Sequence, residues 1–173
     1  MNLCNQCGLC CNGVMFHTVR LQPADSAKAL AALGLKLKRK KGAHYILQPC
    51  PAWQDSQCSI YLARPERCRV FECRQLQRVA AGEITEAAAL EKIRAVQRQV
   101  AQVNALLARA GGTNPKRPLA KRCEKAMAEP LDASSDPAAV ALRKALTHAM
   151  QELNAVLDAD FRLIPGAAAG ELL

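Results

Sequence analysis

Eight of the nine cysteines in this 173-residue chain lie within its first 73 residues. Four of them form one compact motif and four follow at wider spacings: Cys4, Cys7, Cys10 and Cys11, then Cys50, Cys58, Cys68 and Cys73. Thiolates separated by two residues can turn onto one metal ion, because the short loop between them lets the sulfurs converge. Eight thiolates complete two four-cysteine zinc sites or two iron–sulfur clusters. We therefore predict that all eight ligate metal.

The adjacent pair Cys10 and Cys11 needs a separate interpretation. Side chains of neighbouring residues tend to diverge, so this pair is better placed to serve two metal centres than to chelate one ion. The ninth cysteine, Cys123, lies far from the others in sequence. We expect it to be a small buried hydrophobic residue.

Metal binding is a better account of these cysteines than disulfide formation. The sequence opens without a basic and apolar leader, and no apolar run approaches the ~18 residues of a membrane span. The cysteine count is odd, which a purely disulfide framework does not explain. We expect a cytoplasmic protein whose cysteines stay reduced and bind metal.

The positive charge of the chain is concentrated in the same part as the cysteines. Residues 1–80 contain 12 Lys or Arg and 4 Asp or Glu, a formal charge of +8, whereas residues 81–173 contain 12 and 11. A basic surface suggests a nucleic-acid partner. Arg64, Arg67 and Arg69 are interleaved with cysteines, however, so we interpret them as counter-charge to thiolates and expect no nucleic-acid binding.

The elements around the cysteines are predicted to be short. Two ligand loops, 1–13 and 49–74, flank a strand at 14–22, a helix after Pro23 and a hairpin at 35–48 that turns at Lys41-Gly42. A further short helix is expected to begin at Pro65.

Long helices dominate the rest of the chain. Thr85 and Asp136 are candidate N-caps for helices over about 85–110 and 137–160, whose apolar residues recur at helical spacing. An antiparallel helical hairpin explains these stripes, with a dimer seam as the alternative. The fold class is thus α+β: a small irregular metal-stapled domain with a short hairpin and short helices over 1–78, then a helical hairpin appendage over 79–173 with a loose C-terminal tail.

The cysteine frame resembles the CxxCxxCC cysteine-cluster family of zinc- or iron-chelating domains. The resemblance rests on Cys4-Asn5-Gln6-Cys7-Gly8-Leu9-Cys10-Cys11, on Cys50-Pro51, and on the run Cys58-Ser59-Ile60-Tyr61-Leu62-Ala63-Arg64-Pro65-Glu66-Arg67-Cys68-Arg69-Val70-Phe71-Glu72-Cys73. It covers about residues 1–75 and implies metal chelation, with zinc or iron left open. Ile60, Tyr61 and Phe71 are expected to cover the site and keep water out.

Two functional classes remain open on these residues. The first is a non-catalytic metal-binding protein, with zinc favoured slightly and a structural or metal-handling role. The second is an iron–sulfur redox protein or enzyme accessory, because Cys4, Cys7, Cys10 and the remote Cys50-Pro51 loosely match a ferredoxin-type pattern. No nucleophile–base pair or phosphate loop is recognisable, so we name no catalytic residue. Partners are metal ions, and the helical hairpin is a candidate surface for a protein.

The histidines are weaker candidates for metal ligands. His17 and His44 each lie six residues from a cysteine and could replace a thiolate on zinc. Eight thiolates already complete two sites, so we expect both to be ordinary strand residues. His148 lies far from every candidate ligand and receives no role.

Overall fold

The computed structural model describes residues 3–112, 114–128, 136–163 and 171–172. Within these ranges the protein is α+β, as predicted. Its helices are α1 (Leu3–Cys7), α2 (Ala27–Ala32), α3 (Glu66–Val70), α4 (Arg74–Ala80), α5 (Glu86–Arg109), α6 (Leu119–Met127) and α7 (Pro137–Asp160). Its strands are β1 (Thr18–Arg20), β2 (Leu37–Lys40), β3 (Ala43–Leu47), β4 (Trp53–Gln54), β5 (Gln57–Cys58) and β6 (Glu171–Leu172). None of the described helices combines the length and apolarity that crossing a membrane requires.

The two long helices form an antiparallel pair. The Thr85 side chain accepts a hydrogen bond from Ala88 N at 3.1 Å and so caps α5, while Asp136 caps α7 in the same way. Lys92 near the start of α5 pairs with Asp160 at the end of α7 at 2.9 Å. The apolar stripes of both helices are buried in one cluster, so the predicted hairpin packs within the chain. The predicted bounds are correct to within a residue.

Helix α6 lies between the two long helices, in a segment for which no element was predicted. Only Leu119 and Cys123 bury side chains along its nine residues, and the rest of the helix is largely charged. The helix is amphipathic, but its nine residues are fewer than the roughly 11–18 over which apolar spacing predicts a helix. Cys123 is 1 % exposed and belongs to the main core, so its interpretation as a small buried hydrophobic residue is confirmed.

The larger sheet has the strand order β2-β3-β1-β6. Strands β2 and β3 form the predicted hairpin, with Lys41 and Gly42 at φ +48° and +79° in a two-residue turn. Strand β1 is shorter than predicted, because Val14 and Met15 are buried against helices instead of extending the ladder. Most of the expected C-terminal tail lies outside the described residues, but Glu171–Leu172 pair with β1 in parallel.

The first ligand segment is not the irregular loop that we expected, because it begins with helix α1. Leu3 is buried in the main core. Gln97 of α5 donates its amide to the carbonyl oxygens of Gln6 and Cys7, at 2.7 and 3.2 Å, which satisfies carbonyls at the end of α1. Gly8 then adopts φ +65° and turns the chain out of the helix.

One core connects the cysteine-rich segment with the long helices. Leu3, Leu9, Val14 and Met15 share a single buried cluster with residues of α5, α6 and α7. A second cluster lies between the sheet and α2 and includes Val19, Leu30 and Ile46. The division into residues 1–78 and 79–173 stays a prediction, and the shared cluster implies that the two parts stabilise each other.

Replacing Leu9, which is 1 % exposed, tests this mutual stabilisation. We expect Leu9→Ala to lower the unfolding free energy by about 2–5 kcal/mol, since it opens a cavity between the first segment and the helices. Leu62→Ala is the control, because Leu62 is 96 % exposed and its loss should change stability by less than about 0.5 kcal/mol. Urea denaturation of the metal-loaded variants measures both. Equal stability would show that Leu9 contributes no packing energy.

Candidate metal centre

All eight cysteines of the predicted set line one cavity of about 110 Å³. The rest of its lining is mostly apolar and includes Phe16, Trp53 and Ile93. Ile60, Tyr61 and Phe71 also line it, which agrees with their predicted role as cover. Cys123 lies elsewhere, in α6. The sequence therefore identified the complete set of thiols that the fold brings together.

The first four thiols are placed by α1 and the turn that follows it. Cys4 and Cys7 lie one turn apart on the helix, and Cys10 and Cys11 follow Gly8, whose carbonyl accepts a hydrogen bond from Cys11 N at 2.9 Å. Cys11 in turn accepts a hydrogen bond from Cys50 N at 2.7 Å through its carbonyl oxygen. This bond joins the two ligand loops directly.

Of the remaining four thiols, Cys50 lies in the loop between β3 and β4, and the other three belong to short elements. Cys58 ends β5, Cys68 lies on α3, and Cys73 is the N-cap residue of α4. The Asp25 carboxylate accepts a hydrogen bond from Glu66 N at 2.9 Å and so fixes the start of α3.

Helix α4 is held against the end of α7. The Arg74 guanidinium donates to the carbonyl oxygens of Asp158 and Ala159, and the Gln75 amide donates to Asp160 O at 2.7 Å. Burial raises the pKa of the Cys73 thiol, and the backbone at the start of α4 lowers it in part. The long helices thus set the position of Cys73.

The neighbouring charges on the buried thiols favour a grouping of the eight thiols into two sets. Burial, followed by the charges of Cys73 and Cys4, raises the pKa of Cys7 to about 12 despite a hydrogen bond from the Leu9 backbone. Burial also raises the pKa of Cys10, whose neighbours are Cys7, Cys11, Cys73 and Cys4. We call Cys4, Cys7, Cys10 and Cys73 the first set.

The second set lies beside the first and consists of Cys11, Cys50, Cys58 and Cys68. Burial raises the pKa of Cys11, and the strongest neighbouring charges on it are Cys50, Cys68 and Cys58, ahead of Cys4. Burial, followed by Cys50 and Cys58, raises the pKa of Cys68 to about 12. Cys11 is also among the neighbouring charges on Cys10, so the assignment of Cys10 and Cys11 to different metal centres stays a prediction.

One of the three interleaved arginines has the expected position. Arg64 lines the cavity, and its charge lowers the pKa of Cys4 and Cys68 against the larger effect of burial. Its guanidinium carbon lies 3.7 Å from the centre of the Tyr61 ring. Arg67 and Arg69 are not among the lining residues, so the counter-charge interpretation holds for Arg64 alone.

Sequence reasoning missed Trp53 and Gln75 as parts of the site. Trp53 packs so closely on Gly8 that a Cβ added there would lie 2.5 Å from its ring. Gln75 is 1 % exposed and lines the cavity, with its side-chain oxygen buried and without a hydrogen-bond partner. Gln75 lies two residues after Cys73, and the first motif contains Gly8; these were the signals in the sequence that could have identified the two residues.

The histidines lie apart from the thiols. His17 and His44 do not line the cavity, and burial lowers the pKa of His17. His148 pairs with Glu152 at 3.3 Å on the surface of α7. None of the three lies with the thiols at the cavity.

The eight thiols suit a metal in their chemistry, although their sulfurs line a cavity and do not converge on one position. Among the described residues, no group of three or more Cys, His, Asp or Glu side chains has the geometry to hold an ion. Eight thiols facing one apolar cavity nevertheless form a soft donor set of the kind that zinc and iron–sulfur clusters take. The residues therefore fit thiophilic metal in type and number, and closer ligation requires the loops to move inward.

Comparison with known proteins gives the same chemistry. Residues 3–104 match the family model CxxCxxCC, described as "Putative zinc- or iron-chelating domain". The comparisons with curated proteins and with solved structures found no match.

The contact between Gly8 and Trp53 can be tested with matched glycine variants. Gly8→Ala and Gly82→Ala both place a side chain at positive φ, but only the first brings Cβ against the Trp53 ring, since Gly82 has open space around it. We expect both to lose about 1–2 kcal/mol from backbone strain. Gly8→Ala should lose more, shift the emission of this single tryptophan and retain less metal. Equal metal content in the two variants would contradict a role for this contact.

Proposed function

Because this chain belongs to the CxxCxxCC family of zinc- or iron-chelating domains, we propose that it binds metal at two adjacent centres through eight thiolates. The first set of cysteines holds one centre and the second set holds the other. The observation that carries the proposal is that all eight thiols line a single cavity. Thiols that crowd one apolar cavity cannot all ionise without cations between them, and metal supplies those cations.

Zinc is the metal that we propose first, in a structural or metal-handling role. A tetrathiolate zinc site is closed and needs no other ligand, which matches two sets of four. Zinc would draw together loops that arise from α1, β5, α3 and α4, so binding energy becomes folding energy for the first part of the chain. We assign no catalytic residue, and we place the protein in the cytoplasm, where its thiols stay reduced.

The iron–sulfur alternative has one observation in its favour. The cavity that the eight thiols line together with apolar side chains measures about 110 Å³, more room than one ion coordinated at about 2.3 Å needs. A cluster with its own inorganic sulfides would fill such a cavity, and the protein would then be a redox protein or an enzyme accessory. Metal analysis and the visible spectrum of anaerobically purified protein separate the two: a colourless protein with two zinc ions supports the first, and charge-transfer absorption with iron supports the second.

The division between the two sets predicts how metal is lost when single cysteines are replaced. Cys10→Ser and Cys11→Ser should each reduce bound metal by about one centre, because each removes a ligand from a different set. Combining them should reduce the content further than either alone. Cys123→Ser, whose thiol lies in α6, should keep the full content. Metal analysis by mass spectrometry checks the series, and full metal content in Cys11→Ser would contradict the eight-ligand proposal.

Proton release on metal binding tests the ionisation of the thiols. Seven of the eight have a pKa above the ordinary value, chiefly through burial. These thiols are protonated at pH 7.5, and ligation requires thiolates, so zinc binding should release about four protons per ion. The apparent affinity should accordingly fall as the pH falls. A weakly buffered titration with a pH indicator measures the release, and about two protons per ion would exclude tetrathiolate sites.

A further inference from the structure

A basic groove lies beside the metal centre. It measures about 840 Å³ and runs between the sheet and the segment that joins α5 to α6. Three lysines of the β2 wall and three cations of the opposite wall line it: Lys36, Lys38 and Lys40, then Lys116, Arg117 and Lys121. None of the described residues in its lining carries a carboxylate. The groove is therefore a concentrated positive surface, and it shares Gln48 and Cys50 with the lining of the thiol cavity.

Charges on both walls of the groove act on the same half-buried residue, His17. Burial is the main cause that lowers the pKa of His17 at the groove, and Lys121 and Lys38 add to it from opposite sides. Lys121 is also paired with Glu124 at 2.7 Å, outside the lining. The unpaired charge is thus greatest along β2, where Lys36, Lys38 and Lys40 are all exposed.

Strand β2 is also the open edge of its sheet. In the described part of the chain its only neighbour is β3. Leu47 N donates to Lys36 O at 2.8 Å, and Leu37 faces Ile46 in the register. In an antiparallel ladder, residue pairs that exchange hydrogen bonds alternate with pairs that do not. Because Lys36 is hydrogen-bonded to Leu47, the backbone N–H and C=O groups of Leu37 and Arg39 point away from β3, towards the open edge.

We propose that β2 binds an extended acidic segment of a partner protein, which adds a strand to this edge. Same-face side chains of a strand repeat every ~6.6–6.8 Å, so acidic residues at alternate positions would lie beside Lys36, Lys38 and Lys40. The backbone groups of Leu37 and Arg39 supply the main-chain hydrogen bonds. The lysines repel a second copy of β2 and disfavour apolar strands. An acidic strand is therefore the kind that this edge binds favourably.

A polypeptide fits this surface better than a nucleic acid does. Single-stranded nucleic acid is bound by basic grooves that also offer aromatic rings for stacking. Tyr45 is the aromatic residue in the groove, and it is only 8 % exposed. An open strand edge, in contrast, is a feature that only a polypeptide backbone can use. This proposal does not depend on which metal occupies the cysteine cavity.

The first experiment tests the charges on the intact metal-loaded protein. The probe is a fluorescent peptide of alternating Glu and Val, compared with a Gln and Val peptide and with a single-stranded oligonucleotide of equal charge. Fluorescence anisotropy should show that the acidic peptide binds and that Lys38→Glu/Lys40→Glu weakens it at least about tenfold. Lys28→Glu/Lys144→Glu makes the same charge change at exposed sites outside the groove and should leave binding nearly unchanged.

The second experiment tests the strand edge without any substitution. Amide hydrogen exchange at Leu37 and Arg39 should slow when the acidic peptide is bound, whereas the Lys38 amide, already within the ladder, should change little. Absence of peptide binding, equal weakening by both double variants, or unchanged exchange at Leu37 and Arg39 overturns the proposal. Oligonucleotide binding that Lys38→Glu/Lys40→Glu abolishes, without peptide binding, assigns the groove to nucleic acid instead.

Discussion

The structure depends on bringing eight thiols from two distant stretches of chain to one cavity. The hydrogen bond from Cys50 N to Cys11 O joins those stretches next to the cavity. Because burial raises the pKa of Cys7 and Cys68 to about 12, the cavity favours neutral thiols until a cation compensates their charge. The same burial that disfavours free thiolates therefore makes a thiophilic metal the natural occupant.

The long helices serve this cavity as a scaffold. Gln97 on α5 holds the end of α1, and the carbonyls at the end of α7 receive Arg74 and Gln75 beside Cys73. Each contact satisfies a carbonyl at a helix end while it positions a cysteine. A hairpin that looks like an appendage in the sequence thus sets the geometry of the first set of thiols, while the second set packs with the sheet through Cys50 and Cys68.

Strong local signals explain which parts could be predicted from sequence. The caps Thr85 and Asp136 and the long apolar stripes identify α5 and α7, and the spacing of the cysteines identifies the lining of the cavity. Helix α1 was not predicted because its five residues are stabilised by tertiary contacts. These are the burial of Leu3 and the hydrogen bond from the Gln97 amide to the Gln6 carbonyl. Short helices form where packing supports them, and local composition carries little of that information.

The positive charge of the first half of the chain has two physical origins, which the amino-acid composition alone does not distinguish. Arg64 faces the thiols and lowers the pKa of Cys4 and Cys68 against burial, so its charge belongs to the metal centre. The lysines of β2 line the groove instead, on the far side of a wall that Gln48 and Cys50 share between groove and cavity. Counter-charge to thiolates therefore accounts for only part of the excess positive charge in residues 1–80. A further part of the positive charge lies on an open strand edge, where it determines which kind of strand can pair with β2.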